Sequence, residues 1–363
     1  MDRKYDVVII GGGQTGLSVA YFLHRYKINF LILDENEKAG GSWSKGWDSL
    51  QLFSPGIYSS LSGWMLPPPK EIKYPSREEF IDYLDKYEQR YGFPIERPVT
   101  VQSVKENCKY YTVETTKGEI ETKVVISCTG ATSTPYIPKY EGMRDFKGQL
   151  LHSYYYRNPD QLKGNKILII GGGNSGAQIV SEVSRTHDVQ WATRIPPRFL
   201  PDEVDGRYLF DSASQTEQDK NEHFQDHKDR ILSDIVMLES VKEAKKRGDL
   251  TARKSNFSFV EDGVIWHENN EHQVFDAVIW CTGFKPNFSF LNSLDIVQNH
   301  KIETEGTRVL QKEGLWAVGY GNWTGFASAT IHGVGKTAEK TAEEVIQYLM
   351  DFEDFVPILD IKP

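Results

Sequence analysis

The sequence predicts an α/β chain of two parallel-sheet units, the second inserted in the first, and three observations predict it. First, Tyr5-Asp6-Val7-Val8-Ile9-Ile10 runs into Gly11-Gly12-Gly13-Gln14-Thr15-Gly16, and Lys166-Ile167-Leu168-Ile169-Ile170 runs into Gly171-Gly172-Gly173-Asn174-Ser175-Gly176. Second, each corner is followed by a helical segment (16–26 and 175–185) and then by a further short strand (30–33 and 189–192). Third, Val124-Val125-Ile126-Ser127-Cys128-Thr129-Gly130 is echoed by Ala277-Val278-Ile279-Trp280-Cys281-Thr282-Gly283, each an apolar strand entering a Thr-Gly turn. Short continuous apolar runs suit strands buried on both faces of a parallel sheet, and a repeated β-α-β pattern builds such sheets.

The remaining elements follow in order. Residues 110–115 and 119–125, separated by Lys117-Gly118, read as a hairpin, as do 257–260 and 264–267 around Glu261-Asp262-Gly263. A charged stretch over 202–250 reads as a mostly helical insertion, with a helix across 222–247. Ala338, Ala342, Val345, Ile346 and Leu349 recur at helical spacing and predict a packed last helix over 334–350. The expected domains are therefore 1–150 with 287–363, and 151–286 carrying the insertion; 363 residues suffice for two cores.

Composition narrows the function classes. Hydrophobic residues at 39% and charged residues at 26% are globular values, so disorder is not the default. A formal net charge of −9, with no basic run, argues against nucleic acid, which needs a basic footprint. Cys108, Cys128 and Cys281 are far apart and form neither a disulfide framework nor a metal site, so no metal is expected. No apolar run approaches the roughly 20 residues of a membrane-spanning helix, and the first strand begins at once, so a cytoplasmic location is expected. A homodimer is left open.

The glycine corners point to nucleotides. In G-x-G-x-x-G the first glycine permits the tight turn, the second admits a pyrophosphate, and the third lets helix and strand pack closely. The phosphates then meet free N–H groups and the dipole at a helix N-terminus. Gly11, Gly13, Gln14 and Gly16 thus form one expected site, and Gly171, Gly173, Asn174, Ser175 and Gly176 the other. Asp34, just past the first unit's second strand, accepts ribose hydroxyls and repels a 2′-phosphate, so the first site is expected to hold FAD. Arg194 occupies the corresponding place in the second, where a guanidinium welcomes a 2′-phosphate. NADPH is expected there, with NADH left open.

The segment Phe146-x-Gly148-x-x-x-His152-x-x-x-Tyr156 resembles the signature of the flavin-containing monooxygenases, specifically their small bacterial single-chain type. The resemblance covers nearly the whole chain and implies the glutathione-reductase-like fold, two Rossmann-like domains for FAD and NAD(P). It implies that His152 and Tyr156 couple domain geometry to turnover. It assigns Gly41 and Trp43, within Gly40-Gly41-Ser42-Trp43, to the flavin end and Asn322 to the ribityl chain, while Thr129 and Gly130 are expected at the FAD site because their turn lets backbone approach a ligand closely. Asn322 stands where the family's late motif usually has Asp, and Phe53 stands where many members carry a flavin-side asparagine.

The activity implied is oxygen transfer: hydride passes from NAD(P)H to FAD, O₂ adds to the reduced flavin as a C4a-hydroperoxide, and one oxygen goes to a small sulfide, amine or ketone. Two alternatives stay open. One is an NAD(P)H-dependent flavin reductase or oxidase passing electrons to a partner. The other is a non-catalytic redox-sensing accessory of ion transport or metal resistance.

Overall fold

A computed structural model of the chain describes residues 3–69, 74–132, 134–202, 234–325, 327–353 and 355. They divide into two compact units, the first formed by Met1–Ser44, Gly56–Thr134 and Phe284–Pro363, the second by Lys45–Pro55 and Pro135–Gly283.

In the first unit, the strand Lys4–Ile10 lies between Phe30–Leu33 and Gly118–Ser127, parallel to both. Val7, Val8, Ile9 and all of Phe30–Leu33 are buried, as two-faced strands require. The order continues outward to Ile95–Glu96 on one side and to Leu315–Ala317 on the other, again in parallel pairs. Helix α1 (Gln14–Arg25) is the crossover between the first two strands. Helix α2 (Arg77–Tyr91) opens with a reciprocal cap: Ser76 accepts the Glu79 N–H, and Glu79 accepts the Ser76 N–H.

The expected hairpin is present as Tyr110–Thr115 and Gly118–Ser127, and a strand not foreseen, Val101–Asn107, extends it. Cys108 occupies the exposed tip joining Val101–Asn107 to Tyr110–Thr115.

In the second unit, five parallel strands take the order Ala252–Lys254, Asp188–Thr193, Lys166–Ile170, Ala277–Trp280, Gln149–His152. Helix α3 (Asn174–Val183) is its first crossover. The boundary falls at Thr134, earlier than residue 150, because Gln149–His152 pairs with Ala277–Trp280 and so joins the second sheet. Lys45–Pro55 belongs to this unit as well: Asp48 N–H donates to Arg157 O, and Arg157 donates to Lys45 O.

The predicted 222–247 helix is too long. Among the described residues, helix α4 covers only Glu239–Arg247, and the rest of the prediction before residue 234 lies outside them. Ile235, Val236, Met237 and Leu238 are buried in extended chain, where Ile235 exchanges backbone hydrogen bonds with Arg198 and Leu200. Burying four consecutive apolar residues defeats a helix, which faces one stripe inward.

The last helix, α5 (Ile331–Leu349), returns to the first unit and buries Val334, Ala338, Ala342, Val345 and Leu349. No helix among the described residues is long and apolar enough to cross a membrane.

Ser76→Ala removes one arm of the α2 cap and is expected to cost about 1 kcal/mol. The loss is read as a lower melting temperature, and an unchanged one refutes a stabilising cap.

Candidate functional site

The two corners share one geometry, set by glycines that no other residue replaces. Gly11 and Gly171 have φ of +110° and +135°, in the region that favours glycine. A Cβ on Gly16 would lie 1.9 Å from Gly11 O, and one on Gly176 would lie 2.1 Å from Gly171 O. Each helix therefore starts with its backbone pressed against its strand.

The space in front of the corners is open. A Cβ added to Gly173, Gly130 or Gly283 would meet nothing within 4 Å, and one on Gly13 only the Gly41 Cα at 3.6 Å. Helices α1 and α3 have no side-chain cap, nor has α4, which starts at Leu238 and not at a glycine corner, whereas α2 and α5 are capped by Ser76 and Thr330. An uncapped helix start leaves N–H groups for an outside acceptor. An open corner with free donors suits the diphosphate of a dinucleotide in each unit.

Around the first corner, Gln14 donates to Ala329 O at 3.2 Å and accepts the Trp43 indole N–H at 2.9 Å. Gly41 faces Gly13 so closely that a Cβ on it would lie 2.7 Å from the Gly13 Cα. The Thr129-Gly130 turn hangs on a residue that no motif marks, the Tyr320 hydroxyl. It accepts the Thr129 N–H at 3.1 Å and hydrogen-bonds the hydroxyls of Thr129 and Ser127 at 2.8 and 2.5 Å. Burial pushes its phenol pKa far up, so it stays protonated. Asn322 is exposed and its Oδ1 accepts the Ala327 N–H at 3.4 Å.

Asp34 is nearly inaccessible, with its side chain 3% exposed. Its carboxylate accepts from Arg97 Nε at 2.7 Å, and Arg97 in turn donates to both oxygens of Glu88. Arg97 is marked by no local pattern, because the strand that delivers it, Ile95–Glu96, is two residues long.

In the second unit, Asn174 faces its own chain: its Oδ1 accepts the Val236 N–H at 2.9 Å and its amide donates to Asp234 O. Val236 and Leu200 pack against Phe53. Ser175 opens helix α3 directly after Asn174. Arg194 follows the strand Asp188–Thr193 and is exposed; among the described residues it makes no ion pair, whereas Arg198 pairs with Asp234.

The signature segment ends inside this unit. His152 Nδ1 accepts the Tyr154 N–H at 3.1 Å, which puts the ring proton on Nε2, where it donates to Gly283 O at 3.1 Å. Burial lowers its pKa from 6.5, so the ring is neutral. The Tyr156 hydroxyl, fully buried, donates to Glu182 of α3 at 2.7 Å. Arg157 and Asn158 then hold Lys45 O and the Asp48 carboxylate. His152 and Tyr156 thus tie the Thr282-Gly283 turn, α3 and Lys45–Pro55 into one frame, an arrangement suited to positioning.

No two cysteines are paired. Burial drives the thiols of Cys128 and Cys281 well above the ordinary range, and all three cysteines are free. No described group of His, Cys, Asp and Glu forms a metal site.

A family described as pyridine nucleotide-disulphide oxidoreductases matches residues 8–205. A solved flavin-containing monooxygenase from Stenotrophomonas maltophilia is 41% identical, with a TM-score of 0.86, covering 96% of this chain and 99% of that one. The oxidoreductase CzcO of Bacillus subtilis is 30% identical over 94% of this chain and 99% of its own length. The bacillithiol disulfide reductase of Staphylococcus aureus shares the fold, with a TM-score of 0.71 at 19% identity.

The neutral His152 sets a pH prediction. An unfolded histidine binds a proton near pH 6.5 and the folded one resists it. The stability His152 contributes is therefore full above that pH and lost as pH falls below it. Between about pH 7 and about pH 5, wild type should lose more stability than His152→Gln. Parallel losses in thermal melts would contradict the buried neutral ring.

Proposed function

The chain belongs to the flavin-containing monooxygenases within the pyridine nucleotide-disulphide oxidoreductase family, and we propose that it spends NADPH and O₂ to oxygenate a small organic substrate. It is a flavin-dependent oxidoreductase, and FAD is its cofactor. The observation that carries the proposal is the pair of uncapped helix starts, each behind an open glycine corner, in a chain without a dithiol.

In this reading Gly11, Gly13, Gln14 and Gly16 cradle the FAD diphosphate and Asp34 takes its ribose. Gly41, Trp43, Thr129, Gly130 and Asn322 line the remainder. Gly171, Gly173, Asn174, Ser175 and Gly176 receive NADPH, with Arg194 on the 2′-phosphate. When bound, the flavin supplies hydride acceptance and oxygen activation.

The chain's own contribution is orientation and the exclusion of water. His152 acts as a neutral strut: its Nε2–H holds Gly283 O, and its Nδ1 is occupied by backbone. It therefore has no free nitrogen for general acid or base work. Tyr156 steadies α3 through Glu182, and with α3 the second corner. The substrates the chemistry fits are soft nucleophiles, sulfides and amines, with ketones as a further class. Phe53, at the position the resemblance places beside the flavin, packs against Leu200 and Val236.

Turnover with a panel of sulfides, amines and ketones tests the reading: oxygenated product should match NADPH consumed. Peroxide in full yield with no product would show an oxidase instead. Arg194→Ala should raise the KM for NADPH roughly 10- to 100-fold, the worth of one charge-assisted contact, and leave NADH nearly unchanged. Equal losses for both coenzymes refute the 2′-phosphate role.

A further inference from the structure

The surroundings of Asp34 carry an inference that deepens the FAD assignment and rests on it. The parallel pairs Ile32↔Ile95 and Leu33↔Glu96 bring the next residues, Asp34 and Arg97, abreast. Asp34 N–H donates to Glu96 O and Val99 N–H to Asp34 O, which fixes both backbones. The Arg97 guanidinium lies between two carboxylates, donating from Nε to Asp34 Oδ2 at 2.7 Å and from Nη1 and Nη2 to Glu88 at 2.8 and 2.9 Å. All three side chains are largely buried, at 12%, 3% and 13% exposure for Arg97, Asp34 and Glu88.

The pair also touches the first corner. A Cβ on Gly12 would lie 2.7 Å from Asp34 Oδ2 and 2.9 Å from Arg97 Nη2. Asp34 Oδ1 already accepts two N–H groups from Asn36, at 3.2 and 2.9 Å. A carboxylate offers about four acceptor positions. Three are taken, by Asn36 twice and Arg97 once, and one remains, on the oxygen that Arg97 holds.

We propose that Arg97, clamped by Glu88, is the positioning residue for Asp34. It fixes the oxygen that still has acceptor capacity and partly compensates its charge, so that the adenosine half of FAD meets an oriented carboxylate beside a cation. A lone buried carboxylate beside a diphosphate would repel it, and two would repel it more. Glu88 matters for geometry: its two oxygens match the guanidinium fork and leave Nε–H for Asp34 alone. Asp34 then binds one ribose hydroxyl, unless Asn36 gives way to a second.

The test uses the full chain stripped of flavin and titrated with FAD, with ADP as competitor and FMN as a ligand lacking adenosine. Arg97→Met is expected to weaken FAD and ADP together by about 10- to 100-fold, the range of one charge-assisted contact, with FMN unchanged. In an Asp34→Asn background the same substitution should add less than about threefold, because its effect runs through that carboxylate. Arg97→Lys keeps a cation without the fork and should weaken FAD in the same direction, which serves if Arg97→Met does not fold.

Unchanged FAD and ADP binding in Arg97→Met, an equal loss for FMN, or full additivity with Asp34→Asn each overturns the proposal. Wild-type protein that takes up neither FAD nor ADP overturns the parent assignment instead, and is told apart because no variant is then needed.

Discussion

Both units depend on the same contact, the third glycine of a corner lying against the carbonyl of the first. A Cβ at Gly16 or Gly176 would lie 1.9 or 2.1 Å from the carbonyl oxygen of Gly11 or Gly171, so the helix would have to move off its strand. The direction of α1 and α3 would go with it, and so would the N–H groups at their starts. The open space before Gly173 has meaning only because the helix behind it is held in register. One steric fact thus joins strand, helix and anion site, and the chain contains it twice.

What surrounds each corner differs. In the first unit the hydrogen bonds converge from distant parts of the sequence: Gln14 on Trp43 and Ala329, Thr129 on Tyr320, Asp34 on Arg97. In the second they run along a single frame from His152 through Tyr156 to Lys45 and Asp48. The signature between the nucleotide motifs therefore has a structural content. Its histidine ties down a Thr-Gly turn, its tyrosine ties down a helix, and the arginine after it recruits a loop.

The corners, the strands behind them and the crossover helices were legible from local pattern, since a buried parallel strand and a glycine triplet are both written in consecutive residues. The last helix was legible for the same reason, through its apolar spacing. The insertion was misread at Ile235–Leu238, because charge around it suggested a helix while its burial is decided by Asn174, Arg198 and Leu200 far away in sequence. Arg97 and Glu88 were invisible because no local rule marks a two-residue edge strand or the helix face that meets it. Tyr320 is placed by tertiary pairing alone: Leu315–Ala317 lies beside Gly118–Ser127 and so brings its hydroxyl to Thr129.

The distribution of sulfur has a practical side. Cys128 and Cys281 have thiols that burial keeps protonated, while Cys108 stands on the exposed tip of a hairpin. A maleimide dye or a surface linker should therefore attach first at Cys108, without any engineered residue, giving most molecules the same orientation on a sensor chip or electrode.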